Sequence, residues 1–134
     1  MICGCQLSRE FLVAIKKIQK QFVISRHTTP DGVHWDLMLD MDTVLWTWRL
    51  NSPPAEIKNE PITAKRIGDH SRRFLTYEGP VQNNTGQVKI ADKGIYSLYE
   101  QVDNSLLIDV QGEILKGQFI FFETECTLWK VTAL

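Results

Sequence analysis

Two of the three histidines in this sequence of 134 residues, His27 and His34, lie close together, and Asp36 stands two positions after the second. In Val33 to Met41 the residues Val33, Trp35, Leu37 and Leu39 alternate with His34, Asp36, Met38 and Asp40. A strand with this alternation turns an apolar face one way and holds an imidazole and a carboxylate side by side on the other. Neutral imidazole and carboxylate, about two residue rises apart, are close enough to share one divalent cation. His27, just before the loop Thr28 to Gly32, is placed to fold back as a third ligand. The remaining histidine, His70, follows Asp69 and heads a cluster that contains Arg72 and Arg73. Any one of these residues alone reads as part of a solvated polar face. Together they point to a metal site.

The elements that must hold these residues read as mostly β. From Gln21 onward the apolar period is two, in short runs closed by turn residues. The spacing predicts strands over Gln21 to His27, Val33 to Met41, Val44 to Leu50, Ile62 to Ile67, Gln87 to Ala91, Ile95 to Gln101, Ser105 to Gln111, Ile114 to Glu123 and Thr127 to Val131. Asp92-Lys93-Gly94 and Asp103-Asn104 read as hairpin turns, and the proline-bearing stretch Ser52 to Pro61 reads as a loop. Meandering strands in so short a chain indicate a small β barrel, or a sandwich, of antiparallel strands. Ahead of them, Ser8 as N-cap and Phe11, Ile15 and Ile18 at helical spacing predict a short docking helix over Arg9 to Lys20. The expected organisation is an N-terminal extension over 1–20 and one β domain over 21–134.

Composition removes several functions. No apolar run approaches the roughly 20 residues of a bilayer helix, and 43% hydrophobic with 23% charged residues is a folded, not a disordered, balance. A formal charge of −1 lacks the bulk basicity behind non-specific polynucleotide binding, so contact with nucleic acid must be local. Three cysteines, Cys3, Cys5 and Cys126, make no paired disulfide framework. Nothing at the start reads as a secretory address, and the expectation is a cytoplasmic monomer. Cys3-Gly-Cys5 offers only two thiolates and reads as inert.

Beyond these features, the order of motifs resembles the 3′-phosphoesterase domain of bacterial DNA ligase D and the small stand-alone proteins similar to it. That family shows a strand ending in His, then L-H-Y-D-F-R-L-E-L-D-G, a Trp-bearing strand, E-D-H-P and Y-x-x-F-E-G. The matching stretches are Phe22-Val-Ile-Ser-Arg-His27, Val33-His-Trp-Asp-Leu-Met-Leu-Asp-Met-Asp42, Leu45-Trp-Thr-Trp48, Gly68-Asp-His70 and Phe74-Leu-Thr-Tyr-Glu-Gly79. Gly86-x-Val88, Asp92-x-Gly94, Gly112-x-x-Leu115-x-Gly117-x-Phe119 and Trp129-Lys130 continue the likeness to about Val131.

The resemblance implies a small β barrel that binds manganese or a similar divalent ion and hydrolyses phosphoesters at the 3′ end of a DNA or RNA primer strand. It places His27, His34 and Asp36 as metal ligands and His70 as the histidine that contacts the phosphate. It further implies a role in DNA repair, with nucleic-acid 3′ ends and other end-joining repair proteins as partners and no membrane. The family's arginine two positions after the metal-binding aspartate is Met38 here, and its tyrosine four positions after the second-motif histidine is Phe74. Arg66, Arg72 and Arg73 are candidates to restore the positive charge that contacts substrate. So is Arg49. A hairpin of Val33 to Met41 with Val44 to Leu50 through Asp42-Thr43 sets Leu37 opposite Trp48 and Asp36 opposite Arg49, while a turn at Met41-Asp42 would pair His34 with Arg49; either register raises a guanidinium from the metal face as a catalytic group. Trp46 and Trp48 then read as core rather than base-stacking platforms. Two alternatives remain: a weakened or inactive module that binds metal and nucleic-acid ends, favoured by Met38 and Phe74, and a non-haem iron oxygenase, which the short length disfavours.

Overall fold

The computed structural model describes residues 18–134. Nine strands follow one another: β1 (Lys20–Thr29), β2 (Gly32–Asp40), β3 (Leu45–Leu50), β4 (Ile62–His70), β5 (Gly79–Val81), β6 (Gly86–Val102), β7 (Ser105–Gly112), β8 (Lys116–Glu125) and β9 (Leu128–Ala133). They form one antiparallel sheet in the order β1-β2-β3-β4-β9-β8-β7-β6-β5. Pairing of β1 with β6 closes it into a ring, with β5 added beside the first residues of β6. Closure leaves few free backbone edges, and so suits a chain too short for a second covering layer. Among the described residues no helix is long and apolar enough to cross a membrane.

Period-two alternation decides which side chains fill the ring. Phe22 and Ile24, Leu37 and Leu39, Trp48 and Leu50, Ile108, Phe119, Phe121, Trp129 and Val131 meet in one buried core. Trp48 packs edge-on against Phe121 and Trp129, with centroids 5.0 and 5.5 Å apart, so this tryptophan is core as expected. A smaller cluster of Val23, Met38 and Leu45 lies on the opposite side of the sheet under Phe74 and Leu75 of a 3-10 turn, Arg72–Leu75. A second such turn, Pro54–Lys58, interrupts the loop after β3.

Two local expectations are corrected. Gln87 to Ala91 and Ile95 to Gln101 are parts of the single strand β6, and Asp92-Lys93-Gly94 does not turn. The buried Asp92 carboxylate instead accepts the backbone N–H groups of Lys93, Glu113, Ile114 and Leu115 at 2.8–3.1 Å, which ties β6 to the β7–β8 turn. Gly94 is required by close approach, since a Cβ there would strike the Gln111 carbonyl oxygen. The short strand β5 was not anticipated, because Gly-Pro-Val carries no alternation. The expected helix over Arg9 to Lys20 falls mostly outside the described residues, and its last residue, Lys20, already belongs to β1.

Candidate metal centre

The metal-type residues come together on the face of β1 and β2 that looks away from the core. β1 and β2 are joined by a tight turn, so that His27 stands directly opposite His34 and Ser25 opposite Asp36. Facing residues of an antiparallel pair share a side of the sheet. His27 Nδ1 is 2.9 Å from His34 Nε2, and Asp36 Oδ2 lies 3.9 Å from the first and 3.6 Å from the second. A triangle with these sides has a circumscribed radius of about 2.0 Å, the distance at which imidazole nitrogen and carboxylate oxygen hold small divalent cations. The three donors therefore fit such an ion. Burial lowers the pKa of both imidazoles below the usual histidine value, against the opposing pull of Asp36. Both rings are thus neutral at physiological pH, with one of the two facing nitrogens donating to the other across 2.9 Å, a proton that a bound cation would displace.

Strand β3 supplies the next layer. The observed register sets Asp36 opposite Arg49, Met38 opposite Thr47 and Leu37 opposite Trp48, which is the Asp42-Thr43 register of the two the hairpin reading allowed. Arg49 Nε donates to Asp36 Oδ1 at 3.2 Å. Among the described residues its Nη groups have no protein acceptor.

His70 reaches the same face because of an irregularity. Between Thr47↔Ile67 and Leu45↔His70, β3 advances two residues while β4 advances three. Without this bulge Asp69 would face Leu45 and His70 would turn to the other side. Thr47 Oγ1 gives its proton to the Leu45 carbonyl, at 3.1 Å, so it accepts from His70 Nδ1 at 3.0 Å, and the Gly68 carbonyl accepts from the same atom at 3.1 Å. The His70 proton is thereby held on Nδ1, which leaves Nε2 for a ligand.

His27, Asp36, Arg49 and His70, but not His34, line one cavity of ≈ 300 Å³, together with Arg73, Phe74, Met38, Val81, Val88 and two polar residues the sequence did not single out, Ser25 and Gln82. Ser25 lies two residues before His27 on the same strand face, so period two alone could have flagged it. Its buried hydroxyl has no partner among the described residues. Gln82 comes from the β5–β6 turn, and no sequence signal marks it. The arginines divide. Arg73 lies at the cavity over the rings of Phe74 and Tyr77, 5.1 and 4.6 Å from their centroids, with no carboxylate partner among the described residues. Arg72 is spent on the buried Asp40 through a two-pronged pair at 2.9 Å. Arg66 donates to the Thr47 and Ile67 carbonyls and stacks on Trp46 and Trp48. Neither Arg66 nor Arg72 is part of the cavity wall, because each already satisfies a structural acceptor.

Comparison with known proteins accords with this geometry. The multifunctional non-homologous end joining protein LigD of Mycolicibacterium smegmatis is 25% identical over 123 residues, which takes in 81% of this chain and 16% of that much longer protein. Residues 25–123, a span that contains the triad, Arg49, His70, Arg73 and Gln82, match the profile of the DNA ligase D 3′-phosphoesterase domain. The chain belongs to the DNA ligase D 3′-phosphoesterase domain family.

Proposed function

We propose that this domain is a metal-dependent phosphoesterase that acts on the 3′ ends of nucleic acid, removing a 3′-phosphate or a 3′-terminal ribonucleotide. The observation that carries the reading is one cavity lined by His70, Arg49, Arg73 and two members of the three-donor cluster, His27 and Asp36, with the third donor, His34, directly behind them. A divalent ion held by His27, His34 and Asp36, manganese in our reading, would supply Lewis acidity at the phosphoryl oxygens and ease deprotonation of attacking water. Arg49 and Arg73 bring guanidinium groups to an anion entering the cavity. His70, its Nδ1 proton held by Thr47 and Gly68, offers Nε2 to exchange a proton with the phosphate or the leaving oxygen. A cavity of ≈ 300 Å³ admits a terminal phosphate and sugar rather than the interior of a duplex. With a net charge of −1, binding rests on this local pair of arginines and is salt-sensitive with a shallow slope.

A second reading, an end-binding module without turnover, is favoured by one observation. Met38 and Phe74 pack with Val23 and Leu45 into an apolar cluster at the cavity floor, where the family pattern has an arginine and a tyrosine. One assay separates the two. Primers ending in a 3′-phosphate or a 3′-ribonucleotide are incubated with manganese and wild-type, His34→Ala or His70→Ala protein. Manganese-dependent product with wild type and loss with both variants supports the enzyme; manganese-dependent end binding without product supports the module. We place this activity in DNA repair in the cytoplasm, by a monomer working beside other end-joining proteins; the mycobacterial relative is itself named for non-homologous end joining.

A further inference from the structure

His27 poses a problem of its own. Its ring is buried, and Nε2 has no hydrogen-bond partner among the described residues. The other nitrogen, Nδ1, faces His34 and Asp36. If Nδ1 gives its lone pair to that cluster, the single proton of the neutral ring sits on Nε2, as a buried donor that needs an acceptor.

The β5–β6 turn brings one close. The position a Cβ on Gly86 would take lies 2.8 Å from His27 Nε2 and 3.2 Å from Gln82 Oε1. The two atoms therefore flank one small space and are at most about 6 Å apart, within reach of a side-chain rotation. Gly86 has no left-handed φ, so glycine is needed here for room and not for backbone freedom. The turn is costly in itself. Gln82, Asn83 and Asn84 have successive φ values of 53, 55 and 69, and none is glycine. Thr85 closes it by donating its N–H and its hydroxyl to the Gln82 carbonyl at 3.1 and 2.6 Å. The turn thus holds the Gln82 amide close to the unpartnered back of His27.

We propose that Gln82 is a positioning residue for His27: its side-chain carbonyl accepts the Nε2 proton, which fixes the tautomer whose Nδ1 lone pair points to His34 and Asp36. The importance of this contact for cation affinity rests on the metal reading above; the contact itself does not. Partners of this kind orient a ligand ring and raise its basicity.

Two measurements test it. In the metal-free protein, long-range proton–nitrogen correlation of the histidine rings should show His27 protonated on Nε2 in wild type and a mixture of tautomers in Gln82→Leu, with the wild-type pattern restored in Gln82→Glu. Calorimetric manganese titration should show affinity reduced about 10- to 100-fold in Gln82→Leu and recovered in Gln82→Glu. A His27 ring protonated on Nδ1 in wild type overturns the proposal. So does a Gln82→Leu protein with the wild-type tautomer and wild-type manganese affinity, a result that leaves the metal site standing. No manganese binding in wild type, with a tautomer that still depends on Gln82, supports the contact and removes only the metal reading.

Discussion

Asp36→Asn separates what the carboxylate does for a cation from what it does for the fold. Among the described residues Asp36 is the one anionic donor facing His27 and His34, and asparagine keeps its shape while removing the charge. A carboxylate whose charge is divided over two oxygens, about 2 Å from a doubly charged ion, contributes roughly 2–4 kcal/mol even with the screening of bulk water. Manganese affinity should therefore fall by at least about 30-fold. Folding should respond differently. Asp36 is 4% exposed, and the substitution ends the desolvation of a buried charge. The partner left behind, Arg49, keeps 37% of its side chain in solvent and can hydrate its charge. The metal-free variant should accordingly stay within about 1 kcal/mol of wild type in urea unfolding. Thermal melts with and without manganese give a second readout, because binding to the folded state raises its stability in proportion to the logarithm of ligand over Kd. A manganese Kd within threefold of wild type would refute the assignment of Asp36 as a ligand.

Arg49→Ala should leave manganese affinity equal or higher, since it removes a positive charge beside Asp36, and should lower hydrolysis of a 3′-phosphate primer by about a hundredfold; unchanged hydrolysis confines Arg49 to its ion pair. Asp92→Ala strands four backbone N–H groups at the β6 and β7–β8 junction. Urea unfolding should show a loss of at least about 3 kcal/mol, and a loss under about 1 kcal/mol contradicts the reading. Arg72→Ala should destabilise at neutral pH, with the deficit closing in acid. Hydrogen bonds from Arg72 hold the Asp40 pKa below its ordinary value, so the contribution is complete above the usual carboxylate range and disappears as pH falls through the lowered folded value. A deficit that persists unchanged to strongly acidic pH would place the effect elsewhere.

Much of the site could be read from the sequence because it is local to one hairpin. Alternation in β2 separates Leu37 and Leu39 from His34 and Asp36. A turn just after Asp40, where Asp42 adopts φ 77 and Met41 N–H donates to the Val44 carbonyl, then fixes the pairing of Asp36 with Arg49. His27 follows from the same logic, since a tight turn after Thr29 sets it against His34. What escaped the sequence depends on choices made across the ring. Asp92 and Gly94 look like turn residues in their own segment, yet they serve a turn and a strand about twenty positions further on. Arg66 and Arg72 look free as sequence, but carbonyls and Asp40 claim them in the fold.

His70 shows the limit most sharply. One extra residue in β4 decides whether its ring faces the cation donors or the opposite side, and Gly68 in Ile67-Gly-Asp-His70 hints at a bulge without fixing its register. The bulge is held by what it creates: His70 Nδ1 bonds Gly68 within the bulge and Thr47 across the strand, while its ring packs edge-on against Phe74, with centroids 5.6 Å apart. Register and function are thus coupled at this position. A substitution that removes the Thr47 hydroxyl acts on the orientation of His70 before it acts on any chemistry. The chemistry-bearing face is therefore assembled in two ways, by alternation within the β1–β2–β3 wall and by a single register shift on β4 that the wall itself stabilises.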